Sequence, residues 1–223
     1  RRTSRGSALA LLRHTTRHSR SGSPLVCTVL RPAGGCNTAG PGSLIGSGGG
    51  VYATNGAVVN FLGSATERAA LTLNRADYGG GLFATGAATD IEFRDADILQ
   101  NLGLLGGGGV FVDNGAQLLI RSTIANCKSP NGCSRVMNNG TASAVGEPSP
   151  GGGIRVAGGA DATIRRTNFF ANSAGHGIGA AIAVTGAGST VLLEGDILYA
   201  QLARPIDGME LPAFGDQWLG TFP

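Results

Sequence analysis

Acidic residues are missing from the first 66 positions of this 223-residue chain, the first being Glu67, and Lys128 is the only lysine among 17 Lys and Arg residues. Charged residues make up 14% of the chain and apolar ones 42%, the latter only in short runs. Neither a disordered polyelectrolyte nor a membrane span fits that balance. The net charge of +3 is small and belongs mainly to the front of the chain. No Cys-x-x-Cys pair supplies a zinc ribbon with ligands. No Walker A loop exists, since Lys128 follows Cys127, and no Gly-x-Ser-x-Gly nucleophile elbow is present. The stretch "GHGIGA" fits Gly-x-Gly-x-x-Ala in letter only, because no helix pattern follows it.

Residues 1–24, "RRTSRGSALALLRHTTRHSRSGSP", are rich in Arg and Ser and contain no aromatic. Nucleic-acid binding by single-strand stacking needs aromatics among the basic groups, so no nucleic-acid partner is expected. The composition is that of an organellar transit peptide, and the apolar run Ala8 to Leu12 is too short for a secretory signal. His14 and His18 are four apart, a spacing metal ligands on a helix would use, but a solvated basic tail is the better reading of them.

What the chain has in abundance is glycine, 39 residues, against an ordinary ~7%. The glycines recur in "GGGVYATNGAVV", "GGGLFATGAATDIEF", "GGGVFVDNGAQLLI", "GGGIRVAGGADATI" and "GAAIAVTGAGSTVLL". The apolar residue after each run is Val51, Leu82, Val110, Ile154 or Ile182, giving intervals of 31, 28, 44 and 28. Five copies at a nearly constant period mark a repeat architecture.

Each copy has one internal grammar. A short alternating strand (Val110-Phe111-Val112) leads to a Gly-Ala turn and a second alternating strand (Leu118-Leu119-Ile120). Period two between turn residues reads as β-strand, and no helical period is sustained. One unit cannot bury its own apolar face, so the units must stack, with Ile91, Phe93, Val110, Val112, Leu118, Ile120, Ile154, Val156, Ile164, Ile182 and Val184 pointing into one core. Asn101, Asn126 and Asn172 follow at similar places and are expected to stack as a side-chain ladder. The expected fold is all-β, a right-handed parallel β-helix spanning residues 25–201, with irregular segments at 1–24 and 202–223.

Glycine-rich "GGGI" strands alternating with Phe169-x-x-Asn172 and its variant Ile98-x-x-Asn101 resemble the GGAI and FxxN repeats of the polymorphic outer membrane proteins, and more broadly right-handed parallel β-helix repeat proteins. The resemblance covers about residues 44–201. It implies a cell-surface or extracellular location and a non-enzymatic adhesive, ligand-binding or structural role. The partners so implied are a surface glycan or protein, or neighbouring copies in an assembly. No C-terminal membrane barrel resembling the family's is found, and no membrane span, cofactor or metal is expected.

An enzymatic alternative rests on Gly175-His176-Gly177, which resembles the Gly-His-Gly of polygalacturonases, pectin-degrading hydrolases on the same fold. Glycoside hydrolysis needs two carboxylates about the bond, and Asp95 with Asp97 are the nearest candidates. That family's Asn-Thr-Asp, Asp-Asp and Arg-Ile-Lys are all missing. His176 stands where any corner linker belongs, while Asp97 is expected in one small-polar column with Asp77, Thr123, Asn168 and Asp196. Asp90, Glu92 and Asp95 form a further trio, of the kind with which pectate-lyase-like enzymes hold calcium.

Four cysteines, Cys27, Cys36, Cys127 and Cys133, allow three pairings. The two close pairs, Cys27 with Cys36 and Cys127 with Cys133, suggest local bridges and an oxidising compartment. The long interval holds "CKSPNGCSRVMNNGTASAVGEPSP", read as one loop inserted at residues 127–150 and as the preferred binding region. It contains the sequon Asn139-Gly140-Thr141, a glycosylation candidate in a secreted eukaryotic protein.

Overall fold

The structure is a computed structural model, describing residues 46–125, 133–142, 149–175 and 178–201 together with the strands Val26–Val29, Leu202–Ala203 and Trp218–Leu219. All described strands pair in parallel, and no helix occurs among the described residues. The chain winds through five coils, each contributing one strand to each of four sheets. This is the expected parallel β-solenoid.

The first sheet holds Val51–Thr54, Leu82–Thr85, Val110–Asp113, Ile154–Ala157 and Ile182–Thr185, and Trp218–Leu219 pairs beyond the last of these. The second holds Val58–Leu62, Asp90–Arg94, Gln117–Arg121, Asp161–Arg165 and Thr190–Glu194, preceded by Val26–Val29. Ala69–Thr72, Ala96–Leu99, Ser134–Met137, Thr167–Phe170 and Ile197–Tyr199 form the third. The fourth and shortest holds Arg75–Tyr78, Leu102–Gly106, Gly140–Thr141, Ser173–Ala174 and Leu202–Ala203.

The repeat anchors stand in one column: Val51 pairs with Leu82, Leu82 with Val110, Val110 with Ile154 and Ile154 with Ile182. All eleven expected core residues are buried in a single cluster that also takes in Phe61, Ile98, Val136 and Phe169. Phe61 stacks on Phe93, with ring centroids 4.4 Å apart. Stacking therefore buries what a single coil would leave in water, each large side chain contributing about 1.5–3 kcal/mol.

The triple glycines are explained at the corner between the fourth and first sheets. Gly107 has φ +62°, in the left-handed region that favours glycine. A Cβ on Gly109 would stand 2.6 Å from the Gly153 carbonyl oxygen and 3.1 Å from Asn139 Cγ. Where the first sheet turns into the second, hydroxyls do the work: Thr89 Oγ1 donates to Thr85 O and accepts from Gly56 N, and Ser189 repeats the pattern with Thr185 O and Gly159 N.

The third coil departs from expectation. The long interval is not one loop, because Ser134–Met137 and Gly140–Thr141 inside it are ordinary wall strands and Val136 is core. The extra residues fall at 122–133 and 142–149, before and after those strands in the sequence, and 126–132 and 143–148 lie outside the described residues. Apolar Val136, in register with Ile98 and Phe169, holds the coil on the stack despite both insertions.

Candidate functional site

The asparagine ladder exists, with a different membership. Asn74 Nδ2 donates to Asn101 Oδ1 (2.9 Å), Asn101 Nδ2 to Asn139 Oδ1 (3.0 Å), Asn139 Nδ2 to Asn172 Oδ1 (3.1 Å) and Asn172 Nδ2 to Gln201 Oε1 (3.1 Å). Each of these oxygens also accepts the backbone N–H of the preceding rung. The remaining amide hydrogens of Asn101, Asn139 and Asn172 go to Leu71 O, Ile98 O and Val136 O. Asn126 lies outside the described residues, and Asn139 takes the third coil's rung.

This corrects the glycosylation reading. Asn139 is 1% exposed and both its amide hydrogens are used inside the wall, so the folded chain has no amide there to carry a glycan. The missed rungs had a signal, an apolar residue three places earlier: Leu71 before Asn74, Val136 before Asn139 and Leu198 before Gln201.

The acid candidates are not brought together as a catalytic pair. Asp95, at a corner with φ +46°, accepts from Ser122 Oγ (2.7 Å), Thr123 N (2.8 Å) and Thr123 Oγ1 (2.6 Å), and is buried. Asp97 lies on the outside of the third sheet between two arginines. Its Oδ1 accepts from Arg68 Nε (2.5 Å) and Arg135 Nε (2.9 Å), and its Oδ2 accepts from Arg135 Nη2. That bond holds the Arg135 pKa above its usual value against the opposing effect of burial.

The column through Asp97 is Ala70, Asp97, Arg135, Asn168 and Ile197, not the small-polar set expected. Asp77 belongs to the fourth sheet and accepts Gly46 N, while Asp196 is a corner residue accepting Thr167 N. Among the described residues Asp196 is the one carboxyl with a pKa pushed up, to about 6, chiefly by burial and against the hydrogen bonds from Thr167 and Glu194.

Asp90 and Glu92 point outward from the second sheet, whereas Asp95 is turned into its corner, so the calcium trio is not assembled. No cluster of three potential metal ligands occurs among the described residues. His14, His18 and His176 all lie outside them. Gly175, next to His176, donates its N–H to Thr141 Oγ1 (2.9 Å), joining two coils as a corner does. Cys133 is buried and disulfide-bonded. Cys127 and Cys36 lie outside the described residues, as does the side chain of Cys27.

An open groove of about 550 Å³ runs over the outside of the second sheet, lined by Asn60, Asp90, Glu92, Gln117, Leu119, Asp161, Thr163 and Arg165 among others. Register sorts this face into three columns. One carries Val58, Asp90, Gln117, Asp161 and Thr190; the middle one Asn60, Glu92, Leu119, Thr163 and Leu192; the last Leu62, Arg94, Arg121, Arg165 and Glu194. Arg121 Nη2 meets Glu92 Oε1 at 2.8 Å and Arg165 Nε meets Glu194 Oε2 at 2.9 Å. The face can hydrogen-bond and pair charges over several coils at once.

A second outward feature is an aromatic column on the first sheet. Tyr52 stacks on Phe83 (5.6 Å), Phe83 meets Phe111 edge-on (5.1 Å), and the Arg155 guanidinium covers Phe111 (4.6 Å). These rings pack against one another along the solenoid, stacked at Tyr52–Phe83 and edge-on at Phe83–Phe111.

No protein-family model, curated protein or solved structure matches the chain. Fold and site together define a parallel β-solenoid with a charged, open face.

Proposed function

We propose that this protein is a non-enzymatic contact module, a β-solenoid that presents the outside of its second sheet to a glycan or protein at a cell surface or outside the cell. What supports the reading is the groove on that sheet, where amide, carboxylate, hydroxyl and guanidinium groups repeat coil by coil over a flat wall. Such a surface suits an extended partner contacted at many points, in the manner of polar interfaces with small apolar centres. The motif resemblance to the polymorphic outer membrane proteins points the same way for adhesion and location. A disulfide at Cys133 accords with an oxidising compartment. No helix among the described residues is long and apolar enough to cross a membrane.

A polysaccharide lyase or hydrolase would need a carboxylate and its partners converging on one bond, while here Asp95 and Asp97 are consumed by structural hydrogen bonds. A glycan and protein array run beside a reducing-sugar release assay tests the proposal. Binding that is lost with Arg165→Glu, without release of reducing ends, is the expected result. Turnover of a polyuronate overturns it.

A further inference from the structure

We propose that the second sheet's outer face binds a second copy of the chain, face to face and with the two solenoids parallel. The inference rests on the reading of this face as the contact surface and names its partner. A two-fold axis running along the middle column, between the faces, carries each outer column of one copy onto the opposite outer column of the other.

Every level then finds a complement. Asp90 faces the second copy's Arg94, Asp161 faces its Arg165, and Gln117 faces its Arg121, while Val58 meets Leu62 and Thr190 meets Glu194. These levels follow directly from the pairing of the five strands, which contains no register shift. The alternative two-fold, at right angles to the solenoid, sets acid column against acid column and arginine against arginine, so charge selects the parallel form. Along the axis Leu119 and Leu192 meet their own copies, Leu192 being 49% exposed in the single chain. The like-charge meeting of Glu92 with itself is offset within each chain by Arg121.

Five strands about 4.8 Å apart, each five residues long at about 3.3 Å per residue, give a face of roughly 400 Å² per copy. Both faces together fall below the ~1,200 Å² of a stable interface, so the association is weak, with a dissociation constant on the order of hundreds of micromolar, and salt-sensitive.

The test uses Asp90 and Arg94, about 13 Å apart on one strand, because neither side chain has a hydrogen-bond or ion-pair partner among the described residues. Sedimentation equilibrium of the full chain should show dimer that diminishes between about 20 mM and about 500 mM salt. D90R alone and R94D alone should each weaken the dimer tenfold or more, with thermal unfolding unchanged. An equimolar mixture of the two should restore it, since each introduced charge then faces its opposite. A wild type that stays monomeric at about 1 mM, or a mixture that fails to recover, overturns the proposal. A monomeric wild type whose array binding is lost in R94D overturns the dimer and leaves the contact face standing; array binding and self-association both indifferent to the two variants overturn both.

Discussion

Asn139 donates its side-chain amide to Asn172 Oδ1 at 3.1 Å, joining residues 33 apart in sequence and one coil apart in space. The same Asn172 oxygen accepts the Asn139 backbone N–H at 3.1 Å, and Asn172 Nδ2 reaches Val136 O at 2.8 Å. Asn172→Ala would strip the acceptor from the Asn139 backbone N–H and from one Asn139 amide hydrogen, the other staying on Ile98 O, and would take the side-chain donor from Val136 O, at about 1–3 kcal/mol for each buried group left unpaired. The expected outcome is a fall in the urea midpoint of several tenths molar or more with the slope unchanged. Equal stability of variant and wild type would count against the ladder as the element that fixes register.

The glycine corner makes a separate demand. A methyl at Gly109 meets the Gly153 carbonyl oxygen and the Asn139 rung at once, and neither is the far end of a flexible chain. Gly109→Ala should therefore push adjacent coils apart and cost about 1–3 kcal/mol. Hydrogen exchange of the Val110 and Ile154 amides, whose N–H groups donate to Gly153 O and Ala181 O, should quicken in the variant ahead of amides in the second sheet.

The core and its register were legible because period-two alternation and the glycine corners carry both. Val51, Leu82, Val110, Ile154 and Ile182 pair as their spacing implies. The third coil was not legible in the same way. The insertion before Ser134–Met137 displaces the rung, so the sequence spacing points to Asn126, whereas the packing of Val136 selects Asn139. The charged columns of the second sheet were hidden for a related reason: Asp90, Gln117 and Asp161 align only once the length of each intervening corner is known.

Asp97 tells a structural residue from a catalytic one. It is the shared acceptor of Arg68 and Arg135, and Arg68 Nη1 already has no hydrogen-bond partner. Asp97→Asn would leave two half-buried guanidinium groups facing an amide. Loss of one partner of a buried ion pair costs about 3–5 kcal/mol, and the partial exposure here lowers that to roughly 2–3 kcal/mol. Chemical denaturation should register the loss, and Asp97→Leu should do no better because both arginines remain.

Cys133 is expected to be bridged to Cys127, six residues before it, which non-reducing peptide mapping of protein made in an oxidising compartment will decide. Linkage of Cys133 to Cys27 or Cys36 would instead tie the third coil to the front of the chain. Removing a short-loop bridge should cost about 2–3 kcal/mol.

Asp196 gives the fold a pH dependence of unusual sign for a carboxylate. Burial raises its pKa to about 6 in the folded chain, outweighing the Thr167 and Glu194 N–H groups that its two oxygens accept; in the unfolded chain it titrates near 3.9. Between those values the folded state holds a proton that the unfolded state has released. Its contribution is therefore complete below about pH 4 and is lost as pH rises through 6. Because the carboxyl is partly open to water, the effect is on the order of 1 kcal/mol and not the full nominal shift. Asp196→Asn keeps the bond from Thr167 and removes the titration. The melting temperature of the wild type should fall relative to this variant by a few degrees between pH 4 and pH 6.5, and parallel melting curves across that window would show that Asp196 is not held in its protonated form.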